Sequence, residues 1–346
     1  MPGLLATKLH RPSRPPLRIA RPQLLKCLNQ GLELGRPLTL ISAPAGFGKT
    51  TCIVEWLFNL QSEISNLQSC WLSLDPADND PRRFFAYLAA ALQPPLPGLG
   101  QEIEELLAAG PHPASQAVAS LLAGALEGAP GRILLVLDDF HLIQDGWILG
   151  VLEHLLAQPP PALHLVLLTR EDPSLPLARL RAHNQLTEIR AADLRFTADE
   201  AGRFLNDILA LSLSTEDVAA LEERTEGWIV GLQLAGLSLR NRPDPAGFIA
   251  SLSGGHRHIL SYLTEEVLNR QPAEIKEFLL RTSVLERMCA ELCDAVIESG
   301  EQRTAPSWPY QTRENSSDRS LFSSSSVLSY LDRSNLFTPC VSSRQV

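Results

Sequence analysis

Residues 38–50 read LTLISAPAGFGKT, and this stretch decides the fold. The apolar run from residue 38 to residue 42 is short and β-leaning, which indicates a buried strand. Residues 43–50 fit the phosphate-binding loop GxxxxGK[ST], with Ala43 in place of the first glycine. The segment 49–60, KTTCIVEWLFNL, carries apolar residues on one face and predicts a helix. A strand, a glycine-rich loop and a helix in this order predict a P-loop nucleotide-binding domain.

Each residue type in this loop has a chemical reason. Gly46 and Gly48 allow the backbone N–H groups to approach the β-phosphate of a nucleotide closely. Lys49 supplies a positive charge to the β- and γ-phosphates, and the hydroxyl of Thr50 ligates Mg²⁺. The helix that follows directs its positive N-terminus at the same anion. The predicted nucleotide-binding residues of the loop are Ala43, Pro44, Ala45, Gly46, Phe47, Gly48, Lys49, Thr50 and Thr51.

A second motif, ILLVLDD at residues 133–139, ends an apolar run with two acids. A buried parallel strand delivers such acids at its carboxyl end, where ligands of open α/β sheets bind. Asp138 is predicted to hold Mg²⁺ together with Thr50, and Asp139 is predicted to orient and polarise the attacking water as general base. The alternative for this motif is an acidic turn.

A third apolar strand, HLVLLT at residues 164–169, ends in the polar pair Thr169 and Arg170. In P-loop ATPases of the additional-strand type, this position senses the γ-phosphate. Arg170 is therefore a candidate nucleotide-binding residue, and Thr169 is the alternative within the pair. An arginine that solvates the end of a strand explains the pattern equally well.

The pattern of the chain predicts its fold class and its division. Apolar strands that alternate with helices predict an α/β domain with a parallel sheet covered on both faces. After about residue 197 the chain is helical almost throughout, and beyond about residue 300 it is rich in serine. The predicted parts are a basic N-terminal arm (1–36), a P-loop domain (37–210), a helical/winged-helix domain (211–299) and a disordered or truncated tail (300–346).

Composition and charge exclude several classes of protein. The chain has 346 residues, 45% hydrophobic and 20% charged, which suits two or three globular domains. The N-terminus lacks the apolar region of a secretory signal, and the six cysteines form no CxxC pair, so we expect a cytoplasmic protein with reduced thiols. Cys289 and Cys293 lie four residues apart, and without further ligands nearby they predict core packing rather than a metal site.

The charge is distributed unevenly. Residues 1–36 hold seven Lys or Arg and one acid, so the remaining 23 basic and 38 acidic residues leave the body at −15. One interpretation of the basic arm is that it contacts the phosphates of a nucleotide or of DNA. The other is a solvated, partly extended leader, and the charge pattern alone favours this second interpretation. Because the acidic body repels phosphates, we expect no sequence-specific DNA binding by this chain and at most a weak, salt-sensitive contact through the arm.

Several segments in order resemble one known family. They include LLATKLHRP, LISAPAGFGKTT, ILLVLDDFHLI, LVLLTREDPSLPLARLRA and RTEGWIVGLQLAGLSL, and they span about residues 4–297. The chain resembles the N-terminal part of the MalT-like, LuxR-type transcriptional activators of the STAND class of P-loop ATPases. The resemblance implies an additional-strand sheet, ATP or ADP with Mg²⁺, a winged helix after the ATPase domain, slow hydrolysis that resets a switch, and self-association in the ATP state. It also implies that Arg18 lies beside the nucleotide.

The chain departs from this family after about residue 297, where neither the sensor repeats nor the helix-turn-helix follow, so a fragment or truncated product is expected. Two alternatives of other kinds stay open. A stand-alone AAA+-like ATPase would use an arginine finger in trans, from Arg179 or Arg181, and turn over quickly. A small-molecule kinase would need an acceptor pocket and a basic lid, which no motif indicates.

Overall fold

The structure is a computed structural model that describes residues 4–15, 18–63, 66–108, 114–240, 244–251, 261–283, 285, 289–301 and 327–328. Its contacts divide the chain into two compact units, Met1–Ser251 and Leu252–Val346. Within the described ranges, no helix has the length and apolar character needed to cross a membrane.

The first unit is built on a five-stranded parallel sheet. Its strands are β1 (Leu38–Ser42), β2 (Leu67–Ser73), β3 (Arg132–Asp138), β4 (Leu163–Thr169) and β5 (Leu186–Arg190), in the order β2-β3-β4-β1-β5. The strand that leads into the phosphate loop, β1, is separated by β4 from β3, which carries the acidic pair. The predicted parallel sheet of the additional-strand type is therefore confirmed.

Helices cover both faces of this sheet. The α-helices described in the first unit are α1 (Pro22–Glu33), α2 (Lys49–Glu63), α3 (Pro81–Leu92), α4 (Leu99–Ala108), α5 (Ser115–Glu127), α6 (Gly146–Ala157), α7 (Leu177–Ala182), α8 (Ala191–Leu194), α9 (Ala198–Gly202), α10 (Thr215–Thr225), α11 (Ile229–Leu239) and α12 (Pro245–Ser251). Alternate residues of β1 belong to different cores, since Leu38 and Leu40 pack on one face and Ile41 on the other. Every residue of β1 and β4 is buried, as expected of central strands in a sheet covered twice.

The basic arm packs on the body of the first unit through ion pairs. Lys8, only 8% exposed, donates through Nζ to Asp75 at 3.0 Å and also to the fully buried Asp78. Arg14 and Arg18 both pair with Glu55 of α2. The interpretation of the arm as a solvated leader is wrong for these cations, because each already faces a carboxylate of the same chain. The arm also contains a regular helix, α1, whose first residue is Pro22, a position that favours proline.

The helices after the sheet share its compact unit. The predicted boundary at residues 210 and 211 falls inside the unit Met1–Ser251, which also holds α10, α11 and α12. The backbone N–H of Phe196, at the end of the sheet domain, donates to the carbonyl of Gly227 between α10 and α11 at 2.9 Å. The four-part division of the chain stays a prediction.

Among its described residues, the second unit has the α-helices α13 (Ala273–Thr282) and α14 (Ala290–Glu301), preceded by short helical segments at Leu263–Val267 and Leu268–Arg270. A small core joins Ile275 and Phe278 of α13 to Cys293 of α14 and to Val327. Cys293 is fully buried there, whereas Cys289 is exposed, so the predicted core packing holds for one cysteine of the pair. The predicted tail at 300–346 lies outside the described residues, apart from 300–301 and 327–328.

Candidate functional site

The phosphate-binding loop connects β1 to α2 at the carboxyl edge of the sheet. Gly46 and Gly48 adopt φ values of +79° and +78°, the left-handed region that glycine enters without steric cost. The ammonium of Lys49 lies over the start of the loop, where it donates to the carbonyls of Ala43 at 2.7 Å and Pro44 at 2.9 Å. The lysine that the motif assigns to the phosphates is therefore held in place by the loop itself.

The environment of Lys49 is buried and rich in charge. The side chain is 9% exposed, and burial is the main cause that lowers its pKa, to about 8. The positive charge of Arg170 lowers this pKa further, while Asp139 and Asp138 raise it. The structure thus places Arg170 and the acidic pair, which come from two other motifs, close enough to Lys49 to affect its pKa.

Thr50 and Asp138 offer oxygen atoms of the kind that Mg²⁺ prefers. The hydroxyl of Thr50 donates to Oδ2 of Asp138 at 3.1 Å, across the gap between α2 and the end of β3. Burial, followed by the charge of Asp139, raises the pKa of Asp138 to about 6, although the bond from Thr50 opposes this shift. Two neighbouring oxygen donors, a hydroxyl and a carboxylate, fit Mg²⁺, because this ion takes only one or two protein ligands and otherwise coordinates water and phosphate oxygens. In the described part of the chain no group of three His, Cys, Asp or Glu is placed to hold a metal.

The second acid of the pair faces a different environment. Asp139 has a left-handed φ of +57°, and its backbone N–H donates to Oδ1 of Asp138 at 3.0 Å. Its own carboxylate is 45% exposed and lies 4.0 Å from Nδ1 of His141. One acid is therefore buried beside Thr50, and the other is open to water.

At the end of β4 the structure separates Thr169 from Arg170. Thr169 is fully buried, and its hydroxyl donates to the carbonyl of Glu171 at 2.5 Å. Arg170 is only partly buried and lies close enough to Lys49 to lower its pKa. Of the two candidates for sensing the γ-phosphate, Arg170 is the one whose charge acts on Lys49 of the loop.

A cavity of about 330 Å³ opens beside the phosphate loop. Its walls come from the basic arm, α1, α2, residues 194–209 and α11, and they are mostly apolar, as is usual for a small-molecule site. Arg18 lines this cavity together with Phe47 and Gly48 of the loop, and its guanidinium lies 2.8 Å from Glu55. Arg21 also lines it but is committed elsewhere, donating to the carbonyl of Leu194 at 2.6 Å and to Glu200 at 3.0 Å.

The first turn of α11 contacts the loop, which sequence reasoning missed. The ring of Trp228 packs against the core under α2. Its indole N–H also donates to the carbonyl of Ala45 at 3.1 Å, and Ile229 lines the cavity. The two partners lie 183 residues apart, so no local pattern could have signalled the contact.

The close fit of α11 on the loop leads to a stability prediction for Gly46→Ala. A Cβ at Gly46 would lie 2.8 Å from Nε1 of Trp228, whereas a Cβ at Gly35 would meet nothing within 4 Å, although Gly35 has a similar φ of +66°. Gly35→Ala is therefore the matched control, expected to cost about 1–2 kcal/mol from the left-handed conformation alone. Gly46→Ala is expected to cost roughly 1–3 kcal/mol more through overpacking. Urea denaturation measures both free energies of unfolding, and equal losses would contradict the assigned contact.

Comparisons with known proteins agree with this architecture. The MalT winged helix domain matches residues 264–345. The serine/threonine-protein kinase PknK of Mycobacterium tuberculosis H37Rv is 36% identical over 296 residues, which are 85% of this chain and 26% of PknK. The HTH-type transcriptional regulator MalT of Yersinia pestis Pestoides F is 37% identical over 287 residues, 82% of this chain and 31% of that regulator. The chain thus spans between a quarter and a third of the length of these relatives.

A solved structure supports the fold. The Walker-type ATPase PABY2304 of Pyrococcus abyssi superposes with a TM-score of 0.55 at 13% identity, covering 91% of this chain and 89% of its own. The first unit therefore has the P-loop ATPase fold that the phosphate loop and the sheet order indicate. The winged-helix match at 264–345 falls within the second unit, overlaps the predicted range 211–299 only in part, and continues through the serine-rich segment.

Proposed function

Because the chain is homologous to MalT-like proteins over most of its length, we propose that it is the ATP-binding switch module of a LuxR/MalT-type transcriptional regulator. The module binds ATP or ADP with Mg²⁺ and hydrolyses ATP slowly. The observation that carries this proposal is the meeting of Lys49, Thr50 and Asp138 at the carboxyl edge of the sheet, next to a mostly apolar cavity.

The residues of the site fit the parts of the nucleotide one by one. The loop and Lys49 would hold the phosphates, Thr50 and Asp138 would hold Mg²⁺, and the cavity beside Arg18 would take the nucleoside. Mg²⁺ supplies neutralisation of the phosphate charge when it is bound. Asp139, exposed to water, accepts a proton from the attacking water, and Arg170 adds positive charge near the γ-phosphate.

The arrangement of Arg181 weighs against the AAA+-like alternative. Its guanidinium donates to both carboxylate oxygens of Glu188, each at 2.8 Å, and lies 3.8 Å from Asp172. An arginine finger must reach a neighbouring subunit, and an arginine held by two acids of its own chain is poorly suited to that. Arg179, which is exposed, is the remaining candidate for a finger.

Two measurements on the purified full chain separate the switch from a fast ATPase. We expect ADP to remain bound through purification and turnover to fall below about 1 s⁻¹, the lower end of typical enzymes. A nucleotide-free protein whose turnover exceeds this value and rises with protein concentration would instead support the AAA+-like ATPase. In that case Arg179→Ala should abolish the concentration dependence.

The proposal includes partners and location. We infer self-association in the ATP state, measurable by light scattering with ATP and with ADP, and a cytoplasmic location. We infer no sequence-specific DNA binding by this chain alone. The ion pairs of Lys8, Arg14, Arg18 and Arg21 with acids of the same chain support this inference, because they neutralise four of the seven cations of the arm. Tight binding to one duplex over scrambled competitor at about 150 mM salt (near physiological ionic strength) would overturn it.

Binding of ATP with Mg²⁺ is expected to be strongest between about pH 6 and about pH 8, the pKa values of Asp138 and Lys49. As the pH falls through about 6, Asp138 takes up a proton and can no longer ligate Mg²⁺, so the Mg²⁺-dependent part of the affinity is lost. As the pH rises through about 8, Lys49 loses the proton that attracts phosphate, so the affinity falls again. Titration calorimetry from about pH 5 to about pH 9, roughly one unit beyond each pKa, measures the loss of affinity on both sides.

Two variants test which group causes the loss of affinity at acid pH and which causes the loss at alkaline pH. Asp138→Asn cannot titrate, so its ATP affinity should no longer fall at acid pH and should no longer depend on Mg²⁺. Lys49→Arg stays charged at high pH, so its ATP affinity should no longer fall at alkaline pH. A wild-type affinity that stays constant across this range would show that neither group controls binding.

A further inference from the structure

The start of α11 lies against the outer side of the phosphate loop through two hydrogen bonds. Nε1 of Trp228 donates to the carbonyl of Ala45 at 3.1 Å, and the backbone N–H of Val230 donates to the carbonyl of Gly46 at 3.3 Å. A Cβ on Gly46 would come within 2.8 Å of both Trp228 and Val230, and one on Gly48 would lie 3.0 Å from Ile229. The glycines therefore let a helix, as well as a phosphate, approach the loop.

These bonds complete a set of fixed carbonyls along the loop. Nζ of Lys49 holds the carbonyls of Ala43 and Pro44, and α11 holds the next two, those of Ala45 and Gly46. The described chain contains no cis peptide bond, and in a planar trans peptide the N–H points opposite to the C=O. When the carbonyls of Ala45 and Gly46 point toward α11, the N–H groups of Gly46 and Phe47 must point away from it.

The indole of Trp228 is held firmly enough to set this orientation. The turn before it places Glu226 and Gly227 at φ values of +51° and +68°. The N–H of Trp228 donates to the carbonyl of Thr225 at 2.9 Å. A Cβ on Gly227 would lie 2.4 Å from the carbonyl oxygen of Phe196, so the turn is pressed against the wall of the cavity. The backbone that carries the indole is therefore fixed by a tight turn, and the bond to Ala45 orients the indole itself.

We propose that Trp228 is a positioning residue for phosphate binding, which keeps the N–H groups of Gly46 and Phe47 turned toward the phosphate side of the loop. It touches the carbonyl of Ala45 and acts through the backbone. Since the same turn leads into α11, the helix senses whether phosphate occupies the loop. This inference rests on the proposed function, because it assumes that a nucleotide phosphate binds there.

The test compares Trp228→Phe with Trp147→Phe in the full chain. The first variant keeps an aromatic ring and removes the indole N–H. The second makes the same change on α6, where Trp147 packs edge-on against Phe85 with ring centroids 5.4 Å apart. Calorimetry measures the binding of ADP, pyrophosphate and adenosine, and circular dichroism checks the fold of each variant.

Trp228→Phe should weaken ADP and pyrophosphate binding about fivefold, the worth of one neutral hydrogen bond, and leave adenosine binding unchanged. Trp147→Phe should change none of the three affinities. A purely structural role for Trp228 would reduce adenosine binding as well, because Ile229 next to it lines the cavity. Unchanged ADP and pyrophosphate binding, or equal losses for all three ligands, would overturn the proposal.

Fluorescence gives a second readout that does not depend on the stability of a variant. Because the indole of Trp228 contacts the loop, pyrophosphate should shift the emission of the wild-type protein and of Trp147→Phe. An emission unchanged by saturating pyrophosphate contradicts the role of Trp228 even if Trp228→Phe does not fold. If the wild-type chain binds neither ADP nor pyrophosphate, the proposed function fails, and this inference fails with it. Binding by the wild type with no effect of the substitution removes the inference alone.

Discussion

A Lys49→Ala variant is expected to bind ATP and ADP at least about 100-fold more weakly than the wild-type chain. Each charge-assisted hydrogen bond contributes about 1.5–3 kcal/mol, and the ammonium is placed to serve two phosphates. The loss has a second source, because the same ammonium holds the carbonyls of Ala43 and Pro44 at 2.7 and 2.9 Å. Without it the start of the loop is no longer fixed, and the N–H groups are less well aligned for an anion.

Lys26→Ala is the matched control for this experiment. Lys26 lies exposed on α1 within the basic arm, so its removal lowers the net charge equally and touches neither the loop nor the cavity. Calorimetry with ADP should separate the two variants clearly. A folded Lys49→Ala protein that binds ADP as tightly as the wild type would rule out the loop as the phosphate site.

The parts of the site that lie in continuous motifs were predictable from sequence. Lys49 and Thr50 follow the loop after β1, and Asp138 ends β3, so their meeting needs only a parallel sheet with both carboxyl ends on one edge. The strands that carry them are central or next to central and therefore continuously apolar, which makes them visible without an alignment.

The fifth strand escaped prediction because its residues do not form an apolar run. In β5, with the sequence LTEIR, Thr187 is buried against Gly31 of α1, and Glu188 pairs with Arg181. The strand lies at the edge of the sheet beside β1, where polar residues can find partners outside the core. Its short alternation resembles that of many loops, so the pattern alone does not single it out.

The contacts of the arm and of Trp228 were unpredictable for a different reason. Charge counting showed that residues 1–36 are basic but not that Glu55 and Asp78 would meet them, because composition carries no information on partners distant in sequence. The bond from Trp228 to Ala45 likewise depends on where α11 packs. An apolar segment at the start of a helix predicts core packing, and the N–H group of an indole adds no periodic signal that would predict a hydrogen bond.

The two acids after β3 should separate binding from hydrolysis. An Asp139→Asn variant is expected to bind ATP and Mg²⁺ like the wild type and to hydrolyse ATP roughly 100-fold more slowly, or slower still, the usual worth of a general base. Asparagine tolerates the left-handed φ of +57° at this position, so the backbone should stay in place. The substitution removes the carboxylate that accepts a proton and leaves Asp138, with its bond from Thr50, untouched.

Single-turnover hydrolysis with excess protein measures this difference even when the wild type is slow. Asp207→Asn is the matched control, because Asp207 is exposed on the helical segment Arg203–Ile208 and lies outside the acidic pair. It should hydrolyse ATP at the wild-type rate. Asp138→Asn should instead lose the Mg²⁺ dependence of binding, since the buried acid beside Thr50 is the proposed metal ligand of the two. Equal rates for the wild type and Asp139→Asn would move the general base to Asp138 or to a residue outside the motif, and the exposed carboxylate would then have no part in the chemical step.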